Sequence, residues 1–202
     1  LPGSDGRFVP TLRAALAAGD VAAVLIWTDA VDAGIALPAV EPLVTAAQAA
    51  GAAALVRGDT RLVGRAKADG FHADGTFDEL ATAITDLAPA RIVGAGNLRS
   101  RDDAMIAGEA GADYVFFGNL SPGATTGNGR DLLLERAEWW QALFEVPCVV
   151  MASTLDDVGP LARAGADFVA LRDAIWNAPA GPAAAVQTAE AAIATAMIEV
   201  AA

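Results

Sequence analysis

Two aspartates and a histidine have the residue types and positions for chemistry in this chain. Asp59 follows the short apolar run 53–56, and Asp74 follows Phe71-His72. If those runs are adjacent strands, the two carboxylates can converge on one Mg2+, with water completing its shell. The competing reading makes both of them loop or capping residues. His72 is the only histidine; it is either a general acid or a satisfied, partly buried residue. Asp59 and His72 are the catalytic candidates. Further along, Ser153-Thr154-Leu155-Asp156-Asp157 reads as a helix start with a hydroxyl cap. Its backbone amides could hold a phosphate, although the two aspartates oppose one. Arg172 could add a bidentate cation to that phosphate or pair instead with Asp173. Gly94, Gly96 and Gly118, with Thr125 in the Gly/Ser/Thr-rich stretch 118–129, complete the phosphate- and substrate-binding candidates. That stretch is long enough to act as a lid, or to be a loop under no functional constraint.

What must position these residues is a recurring unit. An Ala/Gly-rich helical segment runs into a turn ending in Asp, and an apolar strand follows. The unit appears as Ala17-Ala18-Gly19-Asp20, Lys67-Ala68-Asp69-Gly70, Ala110-Gly111-Ala112-Asp113 and Ala164-Gly165-Ala166-Asp167. The glycine suits a helix C-cap, which needs positive φ. The following runs are continuously apolar, as in parallel strands buried on both faces. Successive aspartates lie about 44 to 54 residues apart, two βα units each. Three more runs, 53–56, 91–94 and 148–151, fill the gaps, giving seven strands that alternate with helices. The expected fold is a (β/α)8 TIM-type barrel forming one domain over residues 1–202, whose first strand is missing ahead of 12–18. An open doubly wound sheet is the competitor, but no G-x-G-x-x-G follows a strand. In such barrels the site forms at the C-terminal strand ends, where every candidate above falls.

Composition narrows the partners. With 54% hydrophobic and 19% charged residues the chain is not disordered. A net charge of −12 repels nucleic acid and anionic membrane surfaces, while leaving room for a phosphorylated small molecule at a local site. The lone Cys148, inside an apolar run, excludes a disulfide framework. No apolar stretch is read as long enough to span a bilayer, so no membrane association and a cytoplasmic location are expected. Trp139-Trp140 should pack against the barrel or a second subunit, and a homodimer is expected for so apolar a chain.

The order of the segments resembles the thiamine phosphate synthase family. Residues 67–72 match its A-D-G-V-H strand, Ile92-Val93-Gly94 its next strand, and Gly111-Ala112-Asp113-Tyr114-Val115-Phe116-Phe117-Gly118 its G-A-D-Y-v-g-f-G. Residues 165–171 and Ala174-Ile175 continue the match. The resemblance implies the joining of a pyrimidine methyl diphosphate to a thiazole phosphate, with Mg2+ on the diphosphate and release of pyrophosphate. It also shows departures. Leu25-Ile26-Trp27-Thr28-Asp29 stands where the family has Q-x-R-x-K, and Gly58-Asp59 where it has Asn-Asp. Thr125-Thr126 lacks the lysine of T-x-T-K, while Ala152-Ser153 and Arg172-Asp173 replace a glycine pair and Val-Ser. The expectation is a divergent paralogue with weak or lost synthase activity that binds a phosphorylated ligand. The alternatives are a non-catalytic partner or ligand-sensing barrel, and an enzyme with a different phosphorylated substrate.

Overall fold

A computed structural model describes residues 8–27, 33–120 and 129–201. The chain divides into two compact units, one ending at Gly94 and one starting at Ala95. The first unit holds α1 (Phe8–Leu16), β1 (Ala23–Trp27), α2 (Ala33–Ala49), β2 (Ala53–Arg57), α3 (Arg61–Ala66), β3 (Gly70–Ala73), α4 (Phe77–Leu87) and all but the last residue of β4 (Ile92–Ala95). Its strands are hydrogen-bonded in sequence order. β1, β2 and β3 are parallel, with Trp27 opposite Arg57 and Arg57 opposite His72. This register lines up three large polar or aromatic side chains across three strand ends.

The second unit holds α5 (Arg101–Glu109), β5 (Tyr114–Phe117), α6 (Gly129–Leu143), β6 (Cys148–Met151), a 3-10 turn (Leu155–Asp157), α7 (Val158–Arg163), β7 (Phe168–Ala170), α8 (Asp173–Trp176) and α9 (Pro182–Ala201). β5, β6 and β7 are parallel and again in sequence order. Strands with every residue buried, such as β3 and β5, carry the continuous apolar runs that a parallel sheet requires. The described residues hold the seven strands read from the sequence, in an α/β, TIM-like order. Residues 1–7 lie outside the described residues.

The repeated aspartate has a physical purpose. Asp69, ahead of β3, accepts the backbone N–H of Ala54 in β2 at 2.8 Å. Asp167, ahead of β7, accepts the N–H of Cys148 in β6 at the same distance. Each carboxylate satisfies a donor at the start of the neighbouring strand and so ties one βα unit to the one before it. The turns before Asp113 and Asp167 use Gly111 and Gly165 at φ of 94° and 90°, and Lys67 takes the left-handed position at 56° before Asp69.

The Trp139-Trp140 pair packs within its own unit. Trp140 is buried, stacks on Phe144 at 4.1 Å between ring centroids and donates Nε1–H to the Val146 carbonyl at 2.6 Å. Cys148 is buried and its thiol pKa is pushed up to about 11 by desolvation, as expected of a structural cysteine.

One sequence expectation needs correction. Pro182–Val200 in α9 is long and apolar enough to cross a membrane by length and composition. Its many alanines and isolated Glu190 hide that length in a residue-by-residue reading. In the fold, α9 packs on α7 and α8 with Val186, Ala189 and Ala196 buried, and Arg163 pairs with Glu199 at 2.9 Å.

Candidate functional site

In the first unit the strand ends carry two separate ion pairs. Asp59, just after β2, accepts from Arg61 Nε at 3.0 Å and from Nη2 at 2.6 Å. It also accepts the Arg61 backbone N–H at 2.9 Å, in the first turn of α3. These bonds, led by the guanidinium, lower its pKa. Asp59 therefore caps α3, as one of its two sequence readings has it, while the paired Arg61 side chain is 63% exposed. Asp74, just after β3, receives both Arg57 Nε (2.6 Å) and Nη2 (2.5 Å) on its Oδ2. The two carboxylates that were expected to share one Mg2+ thus each hold their own arginine. Among the described residues, no group of three or more His, Cys, Asp or Glu side chains is placed to hold a metal ion.

His72 is fully buried on β3. Desolvation pulls its pKa down to about 4, outweighing the nearby Asp74 carboxylate. Its imidazole is neutral at pH 7, and the partial burial expected from the sequence is in fact complete. Opposite it, the Arg57 guanidinium lies 4.5 Å from the centroid of the Trp27 ring. Gly94 is buried within β4.

In the second unit, Gly96 is buried just beyond β4. Gly118 sits at φ of 140°, and an added Cβ would lie 2.3 Å from Met151 Cβ, so packing alone demands glycine there. Thr154 turns its N–H and hydroxyl onto Asp157 Oδ2, at 3.0 and 2.8 Å. Those donors serve the chain itself. Arg130 reaches the other Asp157 oxygen at 3.2 Å. Ser153 stands beside Thr154, half-buried. Arg172 donates to both Asp173 oxygens and, through Nη1, to the Leu120 carbonyl at 2.5 Å. Its pairing with Asp173 is the alternative left open by the sequence. Thr125, and the central part of the stretch that holds it, lie outside the described residues.

The thiamine monophosphate synthase family model matches residues 2–175. The chain belongs to that family. It is 43% identical over 181 residues to a thiamine-phosphate synthase of Rhodospirillum centenum, covering 89% of this chain and 87% of that one. It is 38% identical over 190 residues to another of the same name from Hyphomonas neptunium, covering 92% and 86%. The thiamine phosphate pyrophosphorylase structure from Pyrococcus furiosus superposes with a TM-score of 0.79 at 20% identity, covering 94% of this chain and 90% of that one. A 3-hexulose-6-phosphate synthase structure gives 0.61 at 20% identity, covering 90% and 94%. These likenesses in structure show a shared fold.

Within the family frame, the residue that sequence reasoning passed over is Arg57. It stands just beyond the apolar run 53–56, among the strand-end residues, but was not made a candidate because the search for cations was directed at 25–29. The available signal was its position: a charged residue closing a buried parallel strand, at the end where such folds build sites. Its partners Trp27 and Asp74 are set by strand register, which no local pattern announces.

Proposed function

We propose that this chain catalyses the reaction of its family, joining a pyrimidine methyl diphosphate to a thiazole phosphate with release of pyrophosphate, in the cytoplasm. The observation that supports it most is the 43% identity, across 89% of the chain, to a protein named as a thiamine-phosphate synthase. Phosphorylated substrates bind at the C-terminal strand ends, where Asp59, Arg57 and Asp74 lie. Asp59 fits Mg2+: its oxygens are hard donors at a strand end, and the arginine paired with them is a solvent-exposed side chain. One or two carboxylate ligands suffice for Mg2+ when substrate phosphate and water supply the rest. When bound, the ion neutralises the diphosphate and stabilises its departure as pyrophosphate. Asp74 holds Arg57, and the buried, neutral His72 packs beside them.

A second reading is a barrel that binds a phosphorylated ligand with weak or no turnover. It is favoured by Trp27 at the place where the resemblance implies arginine, and by Arg172 being tied to Leu120 and Asp173.

Incubating the purified chain with both substrates and Mg2+, and following pyrophosphate release, separates the two. Turnover that falls by roughly 10²-fold or more in Asp59→Ala is expected. No turnover, with a rise in melting temperature on adding thiamine phosphate, would establish the second reading. A ligand at about 100 times its Kd adds ~2.7 kcal/mol, a rise of roughly 5–10 °C here. Neither turnover nor a rise would sink both.

A further inference from the structure

We infer that Arg57 is the anion-binding cation of the first unit, taking the phosphate or diphosphate end of the ligand. The inference rests on the reading that the ligand is phosphorylated. Arg57 closes β2 at the end of the strand where βα-repeat folds bind ligands. It belongs to a chain in which 13 basic residues face 25 acidic ones, so a cation at that end is not what composition alone would provide. Its guanidinium is set in plane by two constraints. The Trp27 ring lies under it at 4.5 Å, and Asp74 fastens one edge. The side chain is only 23% exposed, so solvent screens its charge less than that of a surface arginine.

The form of the pairing is informative. A full fork would place two nitrogens on two carboxylate oxygens. Here Nε and Nη2 both reach the single oxygen Oδ2 of Asp74. Guanidinium carries five N–H donors, so the Nη1 edge is not used by Asp74. An aromatic floor, one anchored edge and an edge that Asp74 leaves open among the described residues make a preorganised receptor for a tetrahedral oxyanion. A lysine could not reproduce it, having neither the plane nor the fork. Asp74 then has two opposed effects: it orients the guanidinium, and it competes with the incoming anion.

That opposition supplies the test. Binding of inorganic pyrophosphate and, separately, inorganic phosphate is measured by calorimetry without Mg2+, so that Asp59 takes no part. Arg57→Gln should weaken pyrophosphate by about ten- to hundredfold. Asp74→Asn, which removes the competing charge and keeps the shape, should tighten it by several-fold. Trp27→Leu should weaken it by several-fold with the charge intact. Circular dichroism and melting curves accompany each variant. If Arg57→Gln does not fold, Arg57→Lys replaces it, with an expected loss of at least about fivefold. A pair that serves only structure predicts lower melting temperatures for both charge variants and unchanged affinity; that result overturns the inference. So does weakening by Asp74→Asn equal to that of Arg57→Gln. Tight binding of pyrophosphate with none of phosphate identifies a diphosphate as the ligand group, and equal binding identifies a single phosphate. Wild-type turnover without pyrophosphate binding would remove the Arg57 inference and leave the synthase reading standing. Absence of both turnover and binding removes both.

Discussion

His72 and Arg57 face each other across β2 and β3, yet their environments drive them in different directions. The histidine lies wholly inside the protein, where its charged form is costly, and its pKa falls from 6.5 to about 4. The unfolded chain therefore binds more protons than the folded one between those values. The stability linked to His72 is fully present above about pH 6.5 and is lost as pH falls toward about 4, by up to about 3 kcal/mol. Urea unfolding at pH 7 and pH 4.5 should show a smaller drop for His72→Asn than for the wild type. An identical drop would place the acid sensitivity elsewhere, among the carboxylates. The arginine instead has partners suited to a cation: an aromatic face and a carboxylate. The presence of both groups was legible in the sequence; which was sealed off and which was held at the strand end was not.

At the scale of elements, two of the four repeated aspartates do the connecting. Asp69 and Asp167 accept backbone N–H groups of Ala54 and Cys148 in equivalent places of two different units. Replacing either by Ala leaves a strand-start donor without its acceptor, at a cost of about 1–3 kcal/mol. Asp69→Ala and Asp167→Ala should therefore both destabilise, read as shifts in the urea midpoint at unchanged m-value. A loss confined to one of them would show that the repeat is a pattern of sequence only. Asp69 also accepts from Gln48 Nε2, at 3.1 Å to Oδ2 and 3.2 Å to Oδ1, so the larger loss is expected there. The strand positions and their alternation with helices were legible because a buried parallel strand and a glycine-capped helix end each leave a local mark. The apolar span 182–200 was passed over because Gln187, Thr188 and Glu190 interrupt its alanines.

For the molecule as a whole, charge sets the approach of any anionic ligand. The formal net charge is −12, so the distant field repels pyrophosphate while Arg57 attracts it at close range. Salt shortens the reach of the distant field, with a Debye length falling from ~30 Å at about 10 mM to ~8 Å at about 150 mM. The half-buried guanidinium is screened much less. Stopped-flow association of pyrophosphate should accordingly speed up over that range. A steady decline with salt would mean that a locally positive face, rather than the net charge, governs the encounter.

The sequence by itself determined what depends on near neighbours along the chain. It placed seven strands, the helices between them and the aspartates that close the turns, and it carried the family resemblance in segments such as 111–118. Tertiary structure alone decided which charges meet. The lateral register of β1, β2 and β3 brings Trp27, Arg57 and His72 into one row, although they are 30 and 15 positions apart in the numbering. It also paired Asp74 with Arg57, 17 residues away, where the sequence offered a metal shared with Asp59 as one reading. Periodicity and turn chemistry act over a few residues, whereas ion pairing and desolvation depend on which strands lie side by side.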